Sequence, residues 1–164
     1  MFKKRIVVVF IFCFLLILFF LIALYYNQIG NREEIVGEKN NYLDLSSFSE
    51  ICFKSFCFEI EVAQTSEEKK QGLMFREYLP ENKGMLFEFN QEGIHSIWMK
   101  NTLILLDIIW LDKNLEVVFM KENALPCKSD PCPVYSNLIP AQYVLEVNAG
   151  KVKELELEIG DKLQ

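Results

Sequence analysis

The feature that most constrains this chain is an uncharged stretch near its start, from Ile6 to Tyr26. At about 1.5 Å per residue, a helix over this stretch crosses a hydrocarbon core of about 30 Å. The basic residues Lys3 to Arg5 precede it and no positive excess follows, so the positive-inside rule places the N-terminus in the cytoplasm. A cleaved signal peptide is the alternative, but no small-x-small cleavage site ends the stretch. We predict an uncleaved transmembrane anchor.

The total length of 164 residues leaves room for one folded domain beyond the anchor. We therefore divide the chain into a cytoplasmic tail over residues 1–5, an anchor over 6–26, a polar linker over 27–50 and an extracytoplasmic β domain over 51–164. The predicted location is the cell membrane, with a single pass and the C-terminal domain outside. The membrane and an unknown ligand or protein of the cell envelope are the expected partners.

Charge and composition exclude several classes of function. The net charge is −6, and since residues 1–30 carry three basic residues and no acid, the rest of the chain carries −9. An acidic domain of this kind disfavours nucleic acid as a partner. The single histidine, His95, excludes a zinc site with two or more histidines. No phosphate-cradling loop is present either, and we predict no cofactor.

Four cysteines of the domain form two similarly spaced pairs, which are Cys52 with Cys57 and Cys127 with Cys132. Outside the cytoplasm such thiols oxidise, although four cysteines allow three connectivities. A two-residue turn at Lys54 would oppose the first pair across a hairpin, and a proline-rich loop brackets the second. A four-thiolate zinc site is the alternative, but such sites usually have two residues between cysteines. The spacing favours two local disulfides.

Alternating apolar residues and turn signals predict strands every 8 to 12 residues across the domain. Thr65 and Glu68 form a capping-box pattern that starts a short helix, and Gly72 ends it. The stretch from Met85 to Met99 is interpreted as a hairpin, and Leu103 to Leu111 as a buried central strand. The predicted fold class is mainly β with minor α, a small antiparallel barrel or sandwich with one or two short helices behind one transmembrane helix.

Six motifs resemble, in order, those of the domain of unknown function 192 family. They are Gly72–Arg76, Gly84–Phe87, Ser96–Thr102, Leu106–Ile109, Asp130–Pro133 and Tyr143–Gly150. The resemblance covers about residues 56–163, with Leu105 and Trp110 where the family more often has Pro and Phe. It implies a compact, mainly β domain that is often secreted or tethered to a membrane. It implies no established reaction and no cofactor.

Asp107 is the sharpest anomaly, because a carboxylate in a strand that is apolar on both faces must be paired to offset its desolvation. Arg76, the only arginine of the predicted domain, is the best candidate, with backbone donors as the alternative. A structural ion pair of this kind would make Asp107→Asn milder than Arg76→Ala. The functional alternative is an acid–base or ligand-binding carboxylate, for which Asp107 is the candidate catalytic residue.

Methionines suggest a second possibility, because thioethers suit Cu(I) outside the cytoplasm. The hairpin register predicted above opposes Met85 and Met99, which makes them candidate copper ligands. The alternative, which we favour, is that both methionines simply fill the core, so no metal is predicted.

Two classes of function remain for the domain. The first, which the absence of a standard catalytic set favours, is a binding or accessory module of the cell envelope. The second is an envelope hydrolase or transferase that uses Asp107, and Cu(I) handling is a further alternative. Arg76, Trp98, Asn101 and Asp107 are the candidate binding residues. A cleft that contains Asp107, Arg76 and Asn101 would support an enzyme, and an exposed tryptophan patch would support a binding surface.

Overall fold

Eight strands and two short helices build the C-terminal domain of this computed structural model, which describes residues 18–19, 21–22 and 50–164. The strands are β1 Glu50–Phe53, β2 Phe56–Ala63, β3 Lys83–Gly93, β4 Ser96–Trp98, β5 Leu106–Leu111, β6 Val117–Ala124, β7 Val134–Ser136 and β8 Ala141–Asn148. The helices are α1 Ser66–Gln71 and α2 Lys151–Leu155.

The predicted tail, the linker up to residue 49 and most of the predicted anchor lie outside the described residues. The four described residues of the anchor stretch, 18–19 and 21–22, are helical. In the described part of the chain, no helix has both the length and the apolar character that crossing a membrane requires.

Six strands form one mixed sheet in the order β1-β2-β3-β8-β5-β6, and β4 pairs with β7 in a second, two-stranded sheet. All neighbours in the large sheet are antiparallel except β2 and β3, which run parallel. A parallel pair needs a long crossover, and residues 64–82, which contain α1, supply it. The prediction of a mainly β domain with short helices is confirmed. An antiparallel barrel is wrong, since the described strands form an open, mixed sheet.

The predicted hairpin between Met85 and Met99 is also wrong. Strand β3 pairs with β2 on one edge and β8 on the other, so it has no free edge for β4. Strand β4 pairs with β7 instead, with Ile97 opposite Tyr135. Alternation identified the inward-facing residues of both segments, but alternation carries no information about which strands pair.

Each face of the large sheet buries its own apolar cluster. The first face carries Leu145 of β8 between Leu86 and Ile109, and the second carries Val144 between Phe87 and Trp110. The C-terminal segment, with Val152 and Leu157, packs against the first face. The crossover residue Leu73 and residue Ile97 of β4 pack in the cluster of the second face. Central strands β5 and β8 are therefore buried on both sides.

The hairpin of β1 and β2 forms as the cysteine spacing predicts. Cys52 lies directly opposite Cys57 and is bonded to it, and Lys54 in the turn adopts a positive φ of 53°. Cys127 is likewise bonded to Cys132. On its other side, Cys52 exchanges two backbone hydrogen bonds with Gln164, of 2.7 and 3.0 Å. Both predicted disulfides are thus present, and β1 is held from two directions.

Helix α1 begins and ends where the sequence predicts. The Thr65 hydroxyl accepts a hydrogen bond from the backbone N–H of Glu68, and the Glu68 carboxylate accepts one in return from the N–H of Thr65. This capping box satisfies donors that the first turn leaves free. Gly72 ends the helix with a φ of 47° and donates to the carbonyl of Glu68. The cap fixes the point at which the crossover enters the second face.

The carboxylate of Asp107 is completely buried on the first face and accepts three backbone hydrogen bonds, each of 2.9 Å. The donors are Asn123 of β6 and, at the start of α2, Gly150 and Val152. Glycine at the N-cap of α2 has no side chain to satisfy the first turn. Asp107 supplies that cap from a different part of the chain, and it joins β5, β6 and α2.

Arg76 is not the partner of Asp107, contrary to the favoured prediction, because it forms a two-pronged ion pair with Glu61 of β2, at 2.5 and 2.6 Å. The side chains of this pair are 34% and 50% exposed. The predicted alternative of backbone donors is the one that the structure confirms.

We expect Asp107→Asn to be more destabilising than Arg76→Ala, the reverse of the order predicted from sequence. An asparagine NH₂ would face backbone N–H donors and leave at least one buried donor unsatisfied, which costs about 2 to 4 kcal/mol. The exposed Arg76 pair contributes about 0 to 1 kcal/mol. Urea denaturation of both variants measures the difference. Equal losses of unfolding free energy would contradict the capping role of Asp107.

Candidate functional site

A cavity of about 270 Å³ lies over the second face of the sheet, between the sheet, the crossover and β4. Six apolar and aromatic side chains supply about half of its wall. These are Leu73, Met74, Phe87, Phe89, Ile97 and Trp98. The volume is near the lower end of the range for small-molecule pockets, about 300 to 1,000 Å³.

Glu146 is the polar group of the cavity that lies deepest in the sheet. It occupies the middle of the central strand β8, opposite Met85 of β3 on one side and Ile108 of β5 on the other. Its residue is only 4% exposed. The register places the carboxyl on the second face, among side chains that offer it no charge and no strong hydrogen bond.

No described residue donates a hydrogen bond to the Glu146 carboxyl or forms an ion pair with it. Burial alone therefore acts on it, and the loss of water raises the pKa of Glu146 to about 8. At pH 7 most of the molecules carry a protonated Glu146. A protonated carboxyl offers one O–H donor, and this donor faces the cavity.

Two hydroxyl groups accompany Glu146 in the cavity wall. Thr102 is buried, and its hydroxyl has no hydrogen bond to another described residue. The Ser96 hydroxyl is bonded to that of Ser136 at 2.6 Å. The cavity thus combines an apolar wall with a few convergent polar groups, which is the usual composition of a small-molecule site.

Lysines of α1 supply the positive charge at the cavity. Lys69 and Lys70 both line it. The Lys69 ammonium donates to the backbone carbonyl of Glu88 at 2.7 Å and lies 5.1 Å from the centre of the Phe89 ring. A cation is therefore already held on one of the aromatic walls.

A neighbouring, shallower cavity of about 240 Å³ shares Gln71 and Gly72 with the first and contains the Arg76–Glu61 pair. The hydrogen bond from Arg76 lowers the pKa of Glu61, and the same bond raises the pKa of Arg76. Both charges are thus already matched within the protein.

The structure separates the four predicted binding residues. Trp98 lines the main cavity and is 40% exposed. Asn101 does not line the cavity, but its amide nitrogen lies 4.0 Å from the sulfur of Met74, which does. Arg76 lies in the neighbouring cavity, and Asp107 is on the opposite face of the sheet. The predicted enzymatic cleft of Asp107, Arg76 and Asn101 does not form.

Met85 and Met99 both lie in the apolar cluster of the second face, 7% and 1% exposed, but not as the predicted cross-strand pair. Trp110 cannot contribute to an exposed tryptophan patch, because it is fully buried and donates its indole N–H to the His95 carbonyl. Within residues 50–164, one group of possible metal ligands lies close together, Glu50 with Cys52 and Cys57. The disulfide between its cysteines removes both thiolates.

Glu146 was missed by the sequence analysis, although the signal that singled out Asp107 was present for it too. It lies between Leu145 and Val147 in a strand that is apolar on both faces. A carboxylate in such a strand must be paired or neutralised. Asp107 is paired by backbone donors, whereas Glu146 is neutralised by its raised pKa.

With this geometry established, comparisons with known proteins identify the family. A model of the DUF192 family, described as an uncharacterized ACR, matches residues 51–164. The chain belongs to this family. The resemblance noted from the six motifs is confirmed, and it assigns no activity. No curated protein matches the chain.

Two solved structures of similar proteins share the fold of this DUF192 domain. One is a protein of unknown function from Novosphingobium aromaticivorans, 34% identical with a TM-score of 0.64, over 70% of this chain and 81% of that chain. The other is a putative transcription regulator from Sinorhizobium meliloti, 32% identical with a TM-score of 0.64, over 70% of this chain and 89% of that chain. Most of each relative therefore consists of this domain.

We expect Glu146→Gln to stabilise the domain increasingly as pH rises. The pKa of Glu146 is about 8 in the folded protein against a usual value of 4.5, so the folded state retains a proton that the unfolded state has lost. The wild type therefore loses stability between about pH 4.5 and 8, up to about 5 kcal/mol for the full shift. Glutamine does not titrate, and its variant avoids this loss.

Urea denaturation at pH 5 and pH 8.5 tests this expectation. Glu122→Gln, at an exposed position on β6, is the control and should follow the wild type at both pH values. A constant difference between Glu146→Gln and wild type across this pH range would show that Glu146 is not held neutral in the folded domain.

Proposed function

We propose that this DUF192 protein is a membrane-anchored binding module of the cell envelope, whose domain holds a small ligand in the cavity above Glu146. The observation that carries the proposal is a buried carboxyl that has no partner among the described residues and lines a cavity with aromatic side chains in its wall. The carboxyl oxygens still reach the cavity, since no fully enclosed polar side-chain atom of the described residues lacks a hydrogen-bond partner. A ligand that bonds to Glu146 gains a net hydrogen bond there, about 0.5 to 1.5 kcal/mol.

The geometry favours binding over catalysis at Asp107. Its carboxylate is committed to three backbone donors and is buried away from the cavity, on the opposite face of the sheet. A general acid or base must reach its substrate, and this carboxylate has no such access. The positions of Met85 and Met99 likewise provide no reason to prefer copper handling.

An extracytoplasmic location is supported by the uncharged stretch from Ile6 to Tyr26, by the basic residues that precede it and by the two disulfides. The name of the Sinorhizobium relative suggests transcription regulation as an alternative. The charge of −9 beyond residue 30 disfavours DNA as the ligand of this chain.

A ligand should accompany the domain when it is purified from its own host. Native mass spectrometry of the wild type should show an added small-molecule mass that unfolding releases. Glu146→Leu should lose this mass, because leucine keeps the apolar volume but offers no hydrogen bond. Arg76→Ala is the matched control, since Arg76 lies in the neighbouring cavity, and it should retain the mass. Equal retention by all three proteins would place the ligand elsewhere.

The disulfides also report the side of the membrane on which the domain lies. When host cells are lysed directly into denaturant, a thiol-reactive polyethylene glycol should modify none of the four domain cysteines without prior reduction and all four after reduction. Cys13→Ser removes the fifth cysteine from the count. Free thiols in the unreduced chain would contradict an oxidising, extracytoplasmic location.

A further inference from the structure

The charges around Glu146 limit what kind of molecule the cavity accepts. The strands on either side present Met85 and Ile108 to it, and β4 presents Ser96 and Trp98, none of which is charged. The charged and titratable groups of the surrounding elements are Lys69, Lys70, Glu67 and Glu68 on α1, Glu88 on β3, His95 against the Phe89 ring, the Arg76–Glu61 pair beside β2, and Lys100 with Asp130 beyond β4.

Among these groups, Lys69 and Lys70 are the cations that line the cavity itself. Arg76 is matched by Glu61, and Lys100 is bonded to Asp130 at 2.6 Å. Lys69 bonds only to the neutral carbonyl of Glu88, and no described residue forms an ion pair with Lys70. A cationic ligand would meet like charges there, so the cavity disfavours amines although its walls are aromatic.

Glu146 and Thr102 are the buried polar side chains of the cavity that can donate a hydrogen bond. A neutral Glu146 has an O–H to donate, and the Thr102 hydroxyl, which can also donate, is uncommitted among the described residues. Two donors converging on an apolar space match an oxygen acceptor on the ligand, such as a ketone, amide or ester carbonyl.

We propose that the cavity binds an uncharged carbonyl compound with a compact apolar or aromatic body, whose oxygen accepts a hydrogen bond from the protonated carboxyl of Glu146. The Thr102 hydroxyl assists, and the body of the ligand packs against Phe87, Phe89 and Trp98. This inference rests on the proposed ligand site and adds the chemical class of the ligand. No covalent step is involved.

The proposal requires binding to depend on pH in one direction. A carboxylate cannot donate a hydrogen bond, so the bond from the Glu146 O–H to the ligand is lost as that group ionises. With a pKa of about 8 for Glu146 and a hydrogen bond that contributes about three- to tenfold in affinity, the affinity should fall about two- to fivefold between pH 7 and pH 9. A cationic ligand would show the opposite trend, since it would bind the ionised carboxylate more tightly.

Three probes of similar size separate these possibilities, namely acetophenone, ethylbenzene and benzylamine. Acetophenone carries the carbonyl, ethylbenzene lacks an acceptor and benzylamine is cationic at pH 7. Backbone amide shifts measure binding at Gly72, Thr102 and Glu146 in a fragment of residues 43–164. This fragment is one compact unit, and the solved relatives, most of whose chains are this domain, show that it folds alone.

Acetophenone should bind about three- to tenfold more tightly than ethylbenzene at pH 7, which corresponds to one net hydrogen bond. Its affinity should fall from pH 7 to pH 9 in the wild type. Glu146→Leu should remove the preference for acetophenone, whereas Glu146→Gln, whose amide donates at any pH, should remove the pH dependence. Arg76→Ala, the control from the neighbouring cavity, should retain both properties.

The outcomes distinguish this inference from the proposed function. Tightest binding by benzylamine, with affinity that rises with pH, would overturn the carbonyl class and leave the ligand site standing. Equal binding of acetophenone and ethylbenzene without pH dependence would do the same, because Glu146 would not act as a donor. If no probe shifts the cavity amides, the cavity is not a ligand site and both proposals fail.

Discussion

The carboxylate of Asp107 is the interaction on which the arrangement of this domain depends. A completely buried charge is tolerated only when its hydrogen bonds are satisfied, and here three backbone N–H groups satisfy it. Those donors belong to β6 and to the start of α2, so one side chain fixes both elements against β5. Because α2 packs on the first face of the sheet, the same contact also holds in place the helix that covers the apolar cluster of that face.

Local features of the fold were predictable from the sequence, and long-range pairing was not. The capping box at Thr65, the turn at Lys54 with its disulfide and the buried strand β5 each depend on residues close together in the chain. The parallel pairing of β2 with β3 and the pairing of β4 with β7 depend on which strand edges are already occupied. Residue periodicity assigns faces to strands, and it does not assign neighbours.

The two buried carboxyl groups show the same limit, because the local sequence does not reveal which residues contact them. Asp107 and Glu146 lie in adjacent central strands, and the sequence around each is apolar. On the first face a bulged strand and a helix start bring three donors to Asp107, and on the second face a cavity brings none to Glu146. The burial of both carboxylates follows from the local sequence. Which groups approach each carboxyl is a long-range property, since the donors to Asp107 lie 16 to 45 positions away in the chain and no local pattern encodes them.

The way in which β1 is held has a mechanical consequence for a tethered domain. The described domain begins at Glu50 in this edge strand, which is cross-linked to β2 by the Cys52–Cys57 bond and flanked by Gln164. Tension applied at Glu50 therefore loads a covalently closed hairpin first. Two strands of the sheet, β2 and β3, separate that attachment point in β1 from Glu146 in β8. A force on Glu50 would thus be borne at the edge of the sheet, and the cavity could keep its shape if the proposed anchor holds the domain under load.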